Sequence, residues 1–208
     1  MLVIGLTGGI GMGKSAAAEH LSGRGVPVFN ADAYVHRLYE GEAIGPIEAA
    51  FPGVTHGGRV DRKLLAERVA GSPKRLKTLE GIVHPMVVKA EIDFLREQEK
   101  KGAALAVLEI PLLFETGASA RVDVTIVLSA PAETQRKRVM ARPGMTEEKF
   151  AGLVARQLPE ADKRARADFI VDSGTSLADM RAEIDRLIES LHNREGRVME
   201  RLRHQYQD

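Results

Sequence analysis

Residues 8–15 read Gly8-Gly9-Ile10-Gly11-Met12-Gly13-Lys14-Ser15, the pattern G-x-x-x-x-G-K-[ST]. Few short strings restrict a fold so much, because this one works only between a buried strand and the start of a helix. Both flanks are present. Met1-Leu2-Val3-Ile4-Gly5-Leu6 is a short apolar run that reads as a buried strand, and Ala16-Ala17-Ala18-Glu19-His20-Leu21 is a good helix former. Strand, loop and helix start aim successive backbone N–H groups, and the positive end of the helix dipole, at one point. A nucleoside triphosphate fits there, with Lys14 reaching its β- and γ-phosphates and the Ser15 hydroxyl holding Mg²⁺. A dinucleotide-binding turn wants G-x-G-x-x-G. Here the glycines stand at 9, 11 and 13, and Lys14 occupies the place of the third glycine. The bland alternative is a glycine turn with a purely structural role.

Length and composition bound the rest. A chain of 208 residues suits one α/β domain with room for an inserted subdomain. There is no cysteine, which removes disulfides and thiolate metal sites. A net charge of +1 argues against a broad nucleic-acid face. No run approaches the roughly 18 apolar residues of a membrane span, and no basic leader precedes the first strand. The expectation is a soluble, cytoplasmic protein, a monomer or weak homo-oligomer, with neither nucleic acid nor membrane as partner.

Along the chain, a second strand is expected at 26–29, then a helix through Tyr34, Leu38 and Tyr39. From 41 to 102 there are turns (Gly45-Pro46, Pro52-Gly53, Gly57-Gly58, Ser72-Pro73) and helical patterns but no strong strand. Three helices are expected there, around Leu64–Val69, Leu76–Val83 and Ile92–Leu95. Residues 104–110 and 122–128 are continuous apolar runs, as central parallel strands are. Residues 132–166 are helical and highly charged, broken at Pro143-Gly144 and Pro159. A last strand at 169–171 precedes a helix that Ser176 would cap, with an apolar stripe of Leu177, Met180, Ile184, Leu187, Ile188 and Leu191. The charged tail 193–208 reads as frayed or extended helix. Together these predict a doubly wound, parallel five-stranded α/β sheet of the P-loop kinase type, carrying a helical insertion (41–102) and a helical lid (132–166).

The kind of P-loop protein can be narrowed. Guanine recognition usually uses N-K-x-D, which is absent. Motor-type ATPases usually have a larger body and a strand ending in Asp or Asp-Glu. A small-molecule kinase fits the insertion and lid, which fold over both substrates and exclude water. It needs a group beside the acceptor hydroxyl and cations around the transferred phosphoryl. Asp32, at the end of the second strand, suits the first role or a magnesium-linked one; its alternative is to cap the following helix. Arg136, Lys137, Arg138 and Arg142 suit the second, with Arg138 and Arg142 one helical turn apart; their alternative is a solvated charged face.

Several strings together, Leu6-Thr7-Gly8-Gly9-Ile10-Gly11, Asn30-Ala31-Asp32, His84-Pro85, Pro111-Leu112-Leu113-Phe114-Glu115, Arg138 with Arg142, and Ala167-Asp168, closely resemble the dephospho-CoA kinases. The resemblance runs from residue 2 to about 190. It implies transfer of the ATP γ-phosphate to the ribose 3′-hydroxyl of dephospho-CoA, the last step of coenzyme A biosynthesis. It also implies roles. Residues 8–15, with the N–H of Ala16 and the turn at Gly174, would hold ATP. Asp32 would be base for the 3′-hydroxyl and, with Ser15, a metal ligand. The region from Asp61-Arg62 to His84-Pro85, with Leu113, would meet the acceptor, and Arg138 and Arg142 the phosphates. His84 before Pro85 equally suits a helix start. Glu109 suits a magnesium-bound water or a satisfied buried carboxylate, and Glu115 has no firm account. Two positions depart from the family pattern. Asn30 stands where Asp is usual, which removes like-charge repulsion beside Asp32, and Ala16 stands where Thr is frequent. The rival readings are another small P-loop kinase, for a nucleoside, nucleotide or shikimate-like alcohol, and a nucleotide-sensing module without an acceptor.

Overall fold

A computed structural model describes residues 1–205 of the chain. The elements run β1 (Leu2–Gly8), α1 (Lys14–Gly23), β2 (Val28–Asn30), α2 (Ala31–Leu38), α3 (Ile44–Ala50), β3 (Thr55–His56), β4 (Arg59–Val60), α4 (Arg62–Val69), α5 (Pro73–Lys100), β5 (Leu105–Glu109), β6 (Val124–Ser129), α6 (Ala132–Met140), α7 (Glu147–Val154), α8 (Glu160–Arg166), β7 (Phe169–Asp172), α9 (Leu177–Leu191) and α10 (Val198–Gln205). The expected five-stranded sheet is present in the order β2-β5-β1-β6-β7. β1 lies parallel between β5 and β6, and β6 is parallel to β7. β1, β5 and β6 are buried along their whole length, as strands covered on both faces must be.

The chain divides into two compact units. The first, Met1–Phe29 with the chain from Leu95 onward, is the nucleotide-binding type of core. On one face of its sheet, Ala17, Ala18 and Leu21 of α1 join Met180, Ile184, Ile188 and Leu191 of α9 over Leu2, Ile4, Leu6, Val124, Ile126 and Leu128. Ser176 caps α9 as expected, accepting from the Asp179 N–H at 3.1 Å. The tail is not frayed over its described part. α10 carries Val198 and Met199, 3% and 2% exposed, onto the core, and Asp123 ties it down by accepting from the N–H groups of Arg197 and Val198 at 2.6 and 2.9 Å. The same carboxylate accepts from the Val3 N–H at 2.9 Å. Residues 206–208 of the expected tail lie outside the described residues.

The second unit, Asn30–Phe94, overlaps the expected insertion (41–102) but does not share its bounds, and its elements differ from expectation in two ways. It contains a small hairpin, β3 against β4, where no strand was expected. Each strand has two residues, too few for alternation to register. The Gly57-Gly58 turn, with φ of +58° and +74°, has the left-handed pair that two-residue hairpins require. Moreover, the two helices expected around Leu76–Val83 and Ile92–Leu95 are one 28-residue helix, α5, with Pro85 inside it. His84-Pro85 therefore starts no helix. A mid-helix proline loses one backbone bond and crowds the carbonyl four residues back, which here is Gly81. His84 and Pro85 face solvent while Val83 and Val87 are buried, so the helix is kept by its buried stripe.

Candidate active site

The loop between β1 and α1 is built by close approach. Gly11 and Gly13 have φ of +78° and +83°, the left-handed region in which a side chain is strained. A Cβ on Gly8 would lie 2.6 Å from the Leu128 carbonyl oxygen, and one on Gly11 would lie 2.6 Å from Val139 Cγ2. Glycine at 8 lets β1 end against β6, and glycine at 11 lets the loop lie under α6. Gly13 occupies the N-cap of α1 with no side-chain cap, which leaves the first N–H groups of that helix to a ligand. The apolar Met12 is 2% exposed and anchors the loop in the core. Lys14 Nζ donates to the carbonyls of Gly8 at 2.8 Å and Gly9 at 3.1 Å. The ammonium therefore arches over the loop to the side where a β- or γ-phosphate would sit. Ser15 is exposed at the second position of α1, and Ala16 follows in the same turn.

The segment expected to form a lid, 132–166, contributes several contacts to this loop. Arg138 Nη2 donates to the Ser173 carbonyl at 2.6 Å, and Nη1 lies 3.5 Å from that of Gly11. The guanidinium thus bridges the phosphate loop and the turn after β7. Arg142 lies beyond the end of α6 and is exposed; it is not on one helical face with Arg138, because the helix stops at Met140. Arg136 pairs instead with Glu147 of α7. The turn after β7 is close to the loop. Ser173 N–H and Oγ both donate to the Ser129 carbonyl, and a Cβ on Gly13 would stand 3.4 Å from Ser173 Cβ. Gly174 donates its N–H to Asp172 Oδ1 at 2.7 Å, and a Cβ there would stand 2.6 Å from Pro131 Cδ.

Two contacts were not legible in the sequence. Gln157 Oε1 accepts from the Ile10 N–H at 3.1 Å, and Gln135 Nε2 donates to the Ile10 carbonyl at 2.9 Å. A glutamine carries no motif, so only the packing finds them. Glu115 also gains an account. Its Oε1 accepts from the Leu158 N–H at 2.8 Å and lies 3.3 Å from Lys163 Nζ, whose side chain is 1% exposed. Burial alone would raise the Glu115 carboxyl. The N–H groups of Leu158 and of Glu115 itself, with the Lys163 ammonium, outweigh it and hold the group below its ordinary range.

The strand edge holds Glu109, 4% exposed and in register with Leu6 of β1. Thr7 Oγ1 donates to the Pro111 carbonyl at 3.1 Å, fixing the loop after β5 to β1. Leu113 is fully buried, and a Cβ on Gly5 would meet its Cδ2 at 3.0 Å. Its side chain is packed in the core, with no surface open to a substrate, whereas Leu112 is exposed.

In the insertion, Asn30 is the N-cap of α2, its Oδ1 accepting from the Ala33 N–H at 2.7 Å. Asp32 therefore does not cap the helix. It is the second residue of α2, exposed, with its carboxylate turned to solvent rather than spent on the backbone. Arg62 opens α4 behind the cap Asp61. With His36, Tyr39, His56, Arg59 and Lys63 it lines a cavity of about 590 Å³. Burial raises the Tyr39 hydroxyl, and the Arg62 charge partly opposes this. Among the described residues no three His, Asp or Glu side chains gather as a metal cage. A magnesium ion of the phosphotransfer type takes only one or two protein ligands, and the exposed Ser15 hydroxyl is a group that could serve as one. No helix among the described residues is long and apolar enough to cross a membrane.

Comparison with known proteins agrees with this geometry. The family model for dephospho-CoA kinase matches residues 2–179. A dephospho-CoA kinase from Brucella melitensis is 53% identical over 191 residues, 92% of this chain and 96% of the relative. A crystal structure from Thermus thermophilus superposes with a TM-score of 0.80 at 38% identity, over 91% of this chain and 97% of that one. The dephospho-CoA kinase from Campylobacter jejuni gives 0.64 at 26% identity, over 91% and 96%. These matches, over nearly the whole chain, show that it belongs to the dephospho-CoA kinase family.

Proposed function

We propose that this chain carries out the family's reaction through a definite division of labour. Mg·ATP docks on residues 8–16, and the chain moves the γ-phosphoryl group to the ribose 3′-hydroxyl of dephospho-CoA. Asp32 orients that hydroxyl and takes its proton as the O–P bond forms. Lys14 leaves the carbonyls of Gly8 and Gly9 for the β- and γ-phosphates. Arg138, held between Gly11 and Ser173, faces the charge spread over the equatorial oxygens. Arg142 swings in from solvent. Arg62 and His84 contact the acceptor, and the turn at Gly174 borders the adenine. Ser15 would hold Mg²⁺, with Asp32 the candidate second ligand, and the ion would neutralise charge on the phosphates. Little covalent chemistry is asked of the protein; position and charge supply the rate.

The observation that carries this reading is that Asn30 takes over the helix cap. Asp32 is then left without a capping duty, and its exposed carboxylate is available to a hydroxyl. Asp32→Asn is expected to lower turnover with dephospho-CoA by about three orders of magnitude or more while ADP affinity, read by calorimetry, stays within about threefold. Turnover near the unmodified level would remove Asp32 from the mechanism, and a product phosphorylated elsewhere than the 3′ position would remove the acceptor geometry.

A further inference from the structure

Ile10 sits at the crown of the phosphate loop, where no strand or helix supplies partners for its peptide groups. Both are nevertheless engaged from the lid, the N–H by Gln157 Oε1 at 3.1 Å and the carbonyl by Gln135 Nε2 at 2.9 Å. Holding both groups of one residue restricts the backbone on either side of it. The glycine before it is part of the device, since a Cβ on Gly9 would stand 3.0 Å from Gln135 Nε2 and 3.3 Å from Gln157 Oε1.

Gln157 is itself seated by a charged pair. The next residue, Leu158, donates its N–H to Glu115 Oε1, and the same oxygen faces Lys163. Pro159 is the N-cap of α8, its carbonyl accepting from the N–H of Lys163 at 3.1 Å. Residues 157–163 therefore form a short brace between the phosphate loop and the segment that follows β5. A buried ion pair adds little stability over an apolar pair of the same volume, so stability alone does not account for one here. Fixing the register of the brace does.

We propose that Gln157 and Gln135 form a lid-borne clamp on Ile10, seated by the Glu115–Lys163 pair, that positions the crown of the phosphate loop for phosphoryl transfer. The proposal rests on the reading of residues 8–16 as the seat of the triphosphate. Both glutamines are positioning residues. They act through the Ile10 backbone, and they set the alignment of the transferred group rather than the affinity for nucleotide. Misplacement of a reacting group by about 1 Å is enough to cost about a hundredfold in rate.

The test compares Gln157→Met, which keeps length and loses the acceptor, with Gln157→Glu, which keeps an acceptor oxygen. Amide exchange of the 8–13 segment in the nucleotide-free protein is read beside kcat, KM for ATP and ADP affinity. Gln157→Met is expected to speed exchange at Ile10 and lower kcat by about tenfold to about a hundredfold. ADP affinity and melting temperature should barely move. Gln157→Glu should keep Ile10 protected and restore most of kcat at saturating ATP, with a raised KM for ATP from the added charge. Unchanged exchange in Gln157→Met would overturn the clamp. Faster exchange with normal kcat would overturn its positioning role. An unmodified protein silent toward dephospho-CoA would overturn the acceptor reading, and the role in transfer with it, while the exchange data reported the clamp separately.

Discussion

Single residues decide which groups are free for chemistry. Asn30 and Asp32 divide two duties, one capping α2 and the other left open. Asn30→Ala should cost about 1 kcal/mol, read as a melting temperature lower by about 2–4 °C, with ADP affinity intact. Full stability in that variant would mean the cap carries nothing. Gly11→Ala should be far worse. It places a side chain in a left-handed backbone and drives Cβ to 2.6 Å from Val139 Cγ2. Nucleotide binding should be lost even where the protein still folds, because the loop must move out from under α6. At this scale the sequence was informative wherever chemistry restricts residue type, as at Gly8, Gly13, Lys14 and Ser15. The choice between cap and base at Asp32 stayed open, since Asn30 and Asp32 are both good caps and only the backbone decides between them. Gln135 and Gln157 were invisible because a glutamine's partner lies more than a hundred positions away in the chain.

Elements are held together by contacts that periodicity does not encode. Helices α6 to α8 were expected from charge and proline breaks, but what fastens α8 is the Glu115–Lys163 pair with the Leu158 N–H. The Glu115 carboxyl is held below its ordinary value of 4.5. Its folded-state pKa is depressed, so its stabilisation is fully present above that ordinary value. It is lost as pH falls through the lower, folded one. The difference in melting temperature between the unmodified protein and Glu115→Gln should thus be constant from pH 7 to about pH 5 and shrink below pH 4.5. A difference unchanged under acid would show that the carboxylate is not what fastens α8. Helix α5 teaches the opposite lesson to the phosphate loop. Pro85 reads as a boundary in any local view, yet Val83 and Val87 bury enough surface to carry the helix through it. Tertiary packing overrides a local cost of about 3 kcal/mol. The β3–β4 hairpin shows the lower limit of the method, since two residues per strand contain no period.

At the scale of the whole chain, a five-stranded parallel α/β sheet followed from the alternation of apolar runs and helices, whereas the strand order β2-β5-β1-β6-β7 was left to the structure. What the pattern did not reveal is how the C-terminal segment is secured. Its charge suggested a frayed or extended helix; the described part holds a helix anchored by Asp123, a single acid just before β6 that accepts three backbone N–H groups from Val3, Arg197 and Val198. Asp123→Ala should therefore cost about 2–3 kcal/mol, or about 5–10 °C in melting temperature, and expose Val198 and Met199 to protease. The central claim is the family's reaction, and ADP formation with Mg·ATP tests it most directly, comparing dephospho-CoA with adenosine, AMP, CMP and shikimate as acceptors. Strong turnover with dephospho-CoA alone, yielding a 3′-phosphorylated product, is the expected result. Turnover with a different acceptor, or none with any acceptor despite measurable ATP binding, would contradict it.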